Sequence, residues 1–176
     1  MKEIAQSITL PLIALDTHEW GLDHGTWSVL KPMFPNATIP VVQLSMDYSR
    51  PMAEHFALGR ELAKLRELGV LIVGSGNIVH NLRAMRLNGP AGQTYDWARE
   101  FDSIVAEQLV QDRLSALQDF QKLGQVAQLA HPTFEHFLPL LYAAGAADAA
   151  PSKEAVRFFN ADFQGASISM RSAVWD

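Results

Sequence analysis

Apolar residues fall along this chain in two rhythms. Residues 10–15 (LPLIAL), 39–46 (IPVVQLSM) and 70–73 (VLIV) are short, nearly unbroken apolar runs. Such runs read as strands covered on both faces, the pattern of a parallel sheet. Pro11 falls near the start of the first, where a lost N–H matters least. Between the runs, apolar positions recur every three to four residues. Ser49-Arg50-Pro51 predicts a helix start, with a capping hydroxyl before a proline in the first turn. That helix runs to about Leu68, with Leu58, Leu62 and Leu65 on one face and Gly69 as its stop. Asp96 is the expected cap of a long helix to about Arg113, with Trp97, Phe101, Ile104, Val105 and Leu109 turned inward. Residues 1–9 read as the end of a helix, and Thr26 to Met33 as a short one ended by Pro35. Residues 114–130 suggest one or two shorter helices. Thr133 is expected to cap another that carries His136, Phe137, Leu140 and Leu141. After a small-residue connection over 143–151, residues 156–163 and 167–175 read as closing strands.

This order predicts an α/β fold: a central, mostly parallel sheet flanked by helices on both faces, in a single domain over residues 1–176. Ligands of such sheets sit outside the carboxyl ends of the strands. Composition narrows the partners. Net charge is −5 with no basic run, which disfavours nucleic acid and anionic membrane. With no cysteine, any metal must be held by His, Asp, Glu or water. There is no membrane-length apolar run and no basic-then-apolar leader, so a cytoplasmic protein is expected.

Two stretches carry the candidate chemistry: residues 20–27 (WGLDHGTW) and 74–82 (GSGNIVHNL). Each sets a histidine among glycines and small polar residues beside an apolar run. His80 reads as a base or metal ligand, with Asn77 orienting it or binding substrate, or as a histidine packed on a turn. His24 reads as a functional imidazole whose tautomer Asp23 fixes, or as an incidental neighbour of an Asp helix cap. Glu135-His136 is expected one turn into a helix, with His136 either completing a metal site or lying at the core edge. His131 reads as a loop residue, and His18 and His55 as surface residues. Trp20, Trp27, Trp97 and Phe101 read as core, although Trp20 and Trp27 flank the His24 loop. The 74–77 turn is no phosphate loop, because the dinucleotide fingerprint and the P-loop lysine are absent.

Taken together, residues 20–27, 40–45 (PVVQLS), 74–82, 132–141 (PTFEHFLPLL) and 167–170 (SISM) resemble the class III extradiol ring-cleavage dioxygenases, in the branch of DOPA-dioxygenase-like proteins. The resemblance implies aromatic ring opening on a small catechol with dioxygen, through non-haem Fe(II) or Zn(II). It implies that His24 is a substrate-side acid or hydrogen-bond donor and His80 the base near the metal, sometimes a ligand. His136 is then the third metal ligand, with Glu135 a weaker candidate; Asn77 and Asp23 are substrate-binding candidates. The resemblance covers the latter two-thirds of the family domain. The His-Gly-Ser-Pro-like loop and Ser-x-His-Trp-like strand end that supply the family's two other metal histidines do not occur before Trp20. Weak metal binding and little activity are therefore expected of this chain alone. The alternatives are a non-catalytic remnant, or one part of a split enzyme that needs another polypeptide for its metal site; the partners expected are a second copy in a homodimer, or a chain that supplies the N-terminal segment.

Overall fold

The computed structural model describes residues 20–86, 93–152 and 155–175. The helix expected over 1–9, the strand over 10–15 and His18 lie outside them. The first described helix, α1 (His24–Met33), starts where the Asp23 side chain accepts the Thr26 amide at 2.8 Å. The second, α2 (Met52–Arg66), starts without a side-chain cap, because the Ser49 hydroxyl donates instead to Asp47 at 2.6 Å. It stops as expected. Gly69 takes φ +76°, and the amides of Gly69 and Val70 close back on the carbonyls of Arg66 and Leu65.

Helix α3 (Asp96–Val110) has Tyr95, not Asp96, at its cap position. Its buried face is Ala98, Phe101, Asp102, Val105 and Leu109, while Trp97 and Ile104 are only half-buried. A 3₁₀ stretch (Leu114–Leu123) and α4 (Gln125–Ala130) follow. The helix expected from Thr133 begins later: α5 spans Leu138–Asp148. His136 therefore lies in the turn before α5, not on it. The Thr133 hydroxyl bonds the Glu135 carboxylate at 2.6 Å rather than serving as the expected cap.

Helices α2 and α5 meet almost backbone to backbone. A side chain at Gly59 would run into the backbone of Tyr142, and one at Gly145 into that of Phe56. Leu58, Leu62, Leu65, Tyr142 and Ala146 fill this contact. His55 belongs to it too, at 3% exposure, with Nδ1 2.8 Å from the Tyr142 hydroxyl. Its expected surface position is thus wrong. His55 precedes Leu58 by three residues and so continues the buried face of α2. Burial holds His55 below its ordinary pKa and pushes Tyr142 up to about 12.

Among the described residues the expected central parallel sheet does not appear. Among the described residues the strands form two small antiparallel ladders. In one, β1 (Arg157–Phe159) pairs with β4 (Ser172–Val174); in the other, β2 (Phe163–Gln164) pairs with β3 (Ile168–Ser169). Residues 39–46 and 70–73 carry no strand, and Val41, Val42, Leu71 and Val73 are exposed. An apolar run becomes a strand only where a neighbour takes its N–H and C=O groups, and no described segment does so here. The architecture is a mixed helix-and-strand fold. Trp20 and Trp27, read as core, are also exposed, at 84% and 53%. The main core joins Phe101, Val105, Phe120, Phe137, Leu138 and Leu141 to Val79 of the site loop.

Candidate active site

The glycines of the 74–77 loop are there for the backbone rather than for a ligand. A Cβ on Gly74 would strike the Pro139 carbonyl, and one on Gly76 the carbonyl of His136. Without side chains the loop lies directly on the segment that bears His136, and the Asn77 amide donates to the His136 carbonyl at 2.9 Å. The result is a close pair: the rings of His80 and His136 stack with centroids 3.5 Å apart and planes 15° apart.

The 78–81 segment is held on both sides. Towards α4, the His80 amide donates to the Ala130 carbonyl at 3.0 Å, and the Asn81 side chain to the Leu129 carbonyl at 2.7 Å. Towards β3, His80 and Ile168 form an isolated antiparallel bridge, and the Ser169 amide donates to the Val79 carbonyl. Asn77 uses its side-chain NH₂ on the Ser169 carbonyl at 3.0 Å, so it ties the loop to β3 and leaves its oxygen open among the described residues.

The first candidate stretch comes to the same place. Ser75 Oγ donates to the Gly25 carbonyl at 2.7 Å, joining the two histidine loops. His24 is exposed at the first turn of α1, close enough that its charge depresses the pKa of His136. Asp23 spends one carboxylate oxygen on capping α1. The amide of Asp23 and the hydroxyl of Thr26 both donate to the Gln43 side chain. His24, His80 and His136 thus share one neighbourhood, with Asn77 in its wall and Asp23 at its edge.

Burial is the largest effect holding His80 below its ordinary pKa, and the charge of His136 adds to it against Glu135. His136 is lowered by burial too, opposed by Glu135 and reinforced by His24. Burial works to raise Glu135, but the Thr133 hydroxyl, a backbone hydrogen bond and the two histidines together outweigh it, so its carboxyl titrates low. At neutral pH the His80 and His136 rings are therefore unprotonated beside the Glu135 carboxylate.

The pattern of the catalytic LigB subunit of aromatic ring-opening dioxygenases matches residues 1–168. This chain belongs to that family. It is 45% identical over 142 residues to the 4,5-DOPA dioxygenase extradiol of Escherichia coli (strain K12), covering 77% of this chain and 51% of that protein. It is 37% identical over 138 residues to the protein of the same name from Mirabilis jalapa, covering 77% of this chain and 50% of that protein. The chain thus spans about half the length of these relatives. Its fold matches the crystal structure of uncharacterized protein JW3007 from Escherichia coli K12 with a TM-score of 0.87 and 38% identity, over 98% of this chain and 70% of the other.

LigB-family dioxygenases generally use a non-haem metal. The described residues do not fit one by themselves. No three of their His, Asp or Glu side chains gather as a metal-holding group. The stacked pair is no substitute. Imidazole lone pairs lie in the ring planes, and two nearly parallel planes 3.5 Å apart do not aim them at one ion. A shared ion needs each nitrogen about 2.0–2.1 Å away along its lone pair.

Sequence reasoning passed over the residues that brace this site. His131, read as a loop residue, is 1% exposed, and its Nε2 lies 2.7 Å from the Ile78 carbonyl. Asp102 is buried on α3; it takes two bonds from Arg171, at 2.9 and 2.7 Å, and one from Ser169 Oγ at 2.6 Å. One sign was present in the sequence: Ser167 and Ser169 alternate about Ile168 in a stretch already singled out, and both are fully buried.

Proposed function

We propose that these residues serve an extradiol dioxygenase that opens the ring of a small catechol with dioxygen, and that residues 1–176 are part of a single domain of that type. The supporting observation is the His80–His136 stack, with the His24 loop tied to it through Ser75. The DOPA dioxygenases of Escherichia coli and Mirabilis jalapa are named for a catechol substrate, which supports the substrate class.

In this reading the two stacked histidines divide their work. His80, kept unprotonated by burial, accepts a proton from a catechol hydroxyl as general base. His136 is this chain's donor to the non-haem metal, Fe(II) or Zn(II), and the remaining donors come from outside the described residues. His24, exposed beside the pair, donates a hydrogen bond to substrate. The open oxygen of Asn77 and the second carboxylate oxygen of Asp23 meet its polar groups. Among the described residues no helix is long and apolar enough to cross a membrane, and a cytoplasmic setting suits a catechol enzyme.

The test is an anaerobic Fe(II) reconstitution followed by catechol and oxygen, reading the coloured ring-opened product. It is run on the 176-residue chain alone and on the chain completed with the other half of a relative. The completed form is expected to turn over and the chain alone to show little. His80→Ala in the completed form should lower turnover by about 10²–10⁴-fold with bound metal unchanged. No product from either form sinks the reading. Loss of metal with rescue by excess Fe(II) makes His80 a ligand instead.

A further inference from the structure

His131 has no part in the chemistry just described, yet it is among the most deeply buried polar residues of the chain. Its ring sits edge-on among Phe101, Phe120 and Phe137, with centroids 5.5, 6.0 and 5.2 Å away. Its Nδ1 makes no hydrogen bond among the described residues, whereas Nε2 lies 2.7 Å from the Ile78 carbonyl. A carbonyl only accepts, so Nε2 carries the proton and Nδ1 is bare. Burying the bare Nδ1 among aromatic rings costs free energy, and the single bond from Nε2 offsets part of that cost.

The carbonyl belongs to the residue two positions before His80. The neighbouring backbone makes the next bond, from the His80 amide to the Ala130 carbonyl. Residues 130 and 131 therefore grip residues 78 and 80 together. We propose that His131 is a positioning residue: its Nε2–H clamps the Ile78 carbonyl and so sets the His80 ring in register with His136. The clamp rests on the functional reading above only in what the stack is for; the stack itself is geometry. Burial, which lowers the His131 pKa to about 4, keeps the clamp neutral across the physiological range.

Two substitutions separate hydrogen bonding from packing. His131→Phe fills the aromatic box and removes the donor. His131→Gln gives up the ring and returns an N–H near the place of Nε2. The readouts, on the metal-free 176-residue chain, are the ring-to-ring nuclear Overhauser contacts of His80 with His136 and the exchange rate of the His80 amide. His131→Phe should lose the ring contacts and speed exchange of that amide by about tenfold or more, on the scale of one lost hydrogen bond. His131→Gln should restore both in large part. Wild-type contacts and protection in His131→Phe overturn the proposal, as does His131→Gln behaving no better than His131→Phe. If neither variant folds, the ring is a packing element and the proposal is likewise overturned. In the completed, metal-loaded form, His131→Phe should lower kcat with little change in KM. If wild-type protein opens no ring at all, the enzymatic reading fails while the magnetic resonance result still decides the clamp.

Discussion

Individual residues in this site are set by what the backbone permits beside them. Gly76 is the clearest case, since any side chain there meets the His136 carbonyl. Gly76→Ala should push the loop away from the 136–139 segment and break the Asn77-to-His136 backbone bond. The expected outcome is loss of the His80–His136 ring contacts by nuclear Overhauser measurement, with destabilisation of about 1–3 kcal/mol in urea titration, the usual scale of overpacking. An unchanged stack in this variant would show that the loop has room the structure denies it. The glycines around His80 were visible in the sequence. That the approaching group is the chain's own backbone was not, because nothing local records what lies 60 residues away.

At the scale of elements, two contacts carry specific expectations. Helices α2 and α5 cross at Gly59 and Gly145, so Gly59→Ala places a methyl against the Tyr142 backbone. It should cost about 1–3 kcal/mol, although alanine is the better helix former by about 1 kcal/mol. A stabilised variant by thermal melting would refute the tight crossing. The second contact joins α3 to the closing strands through Asp102, Arg171 and Ser169. The Asp102 side chain is 3% exposed, so Asp102→Ala leaves a guanidinium without its partner. Breaking a buried pair in this way costs about 3–5 kcal/mol, and denaturant unfolding of the variant measures it. The periodicity of Leu58, Leu62 and Leu65 foretold the buried face of α2. Extended one step back, it reaches His55 as well.

For the whole molecule, the buried neutral histidines make stability depend on acid. His131 titrates at about 4 when folded and near the ordinary imidazole value of 6.5 when unfolded. As pH falls below about 6.5 the unfolded chain takes up a proton that the folded chain refuses, so stability is lost down to about pH 4 and then levels. The groups facing His131 are His80 and His136, whose charges oppose its protonation, and Glu135, whose charge favours it. His55 is also lowered and adds to the same slope. Urea midpoints should fall between pH 6.5 and 4, and His131→Phe should flatten that fall; an equal slope in the variant would count against the assignment. The sparse donor set of the described residues makes a second expectation at this scale. The 176-residue chain should bind Zn(II) far more weakly than a three-histidine centre, and His136→Ala should abolish what remains. Tight one-to-one binding by calorimetry would contradict this.

The sequence by itself determined the local signals: the helices over the long periodic stretches, the Gly69 stop, the closing strands near the end, and the histidine loops that carry the family likeness. Each depends on neighbours a few residues apart, and such neighbours are written in the chain. Only the tertiary structure decided that the apolar runs at 39–46 and 70–73 lack ladder partners among the described residues, since strand pairing is a bond between distant segments. It alone decided that His80 stacks on His136 with non-convergent lone pairs, that His55 is buried against Tyr142, and that His131 grips Ile78. A histidine's role is fixed by which donor, acceptor or ring faces it, and here those partners lie 53 to 87 positions away along the chain.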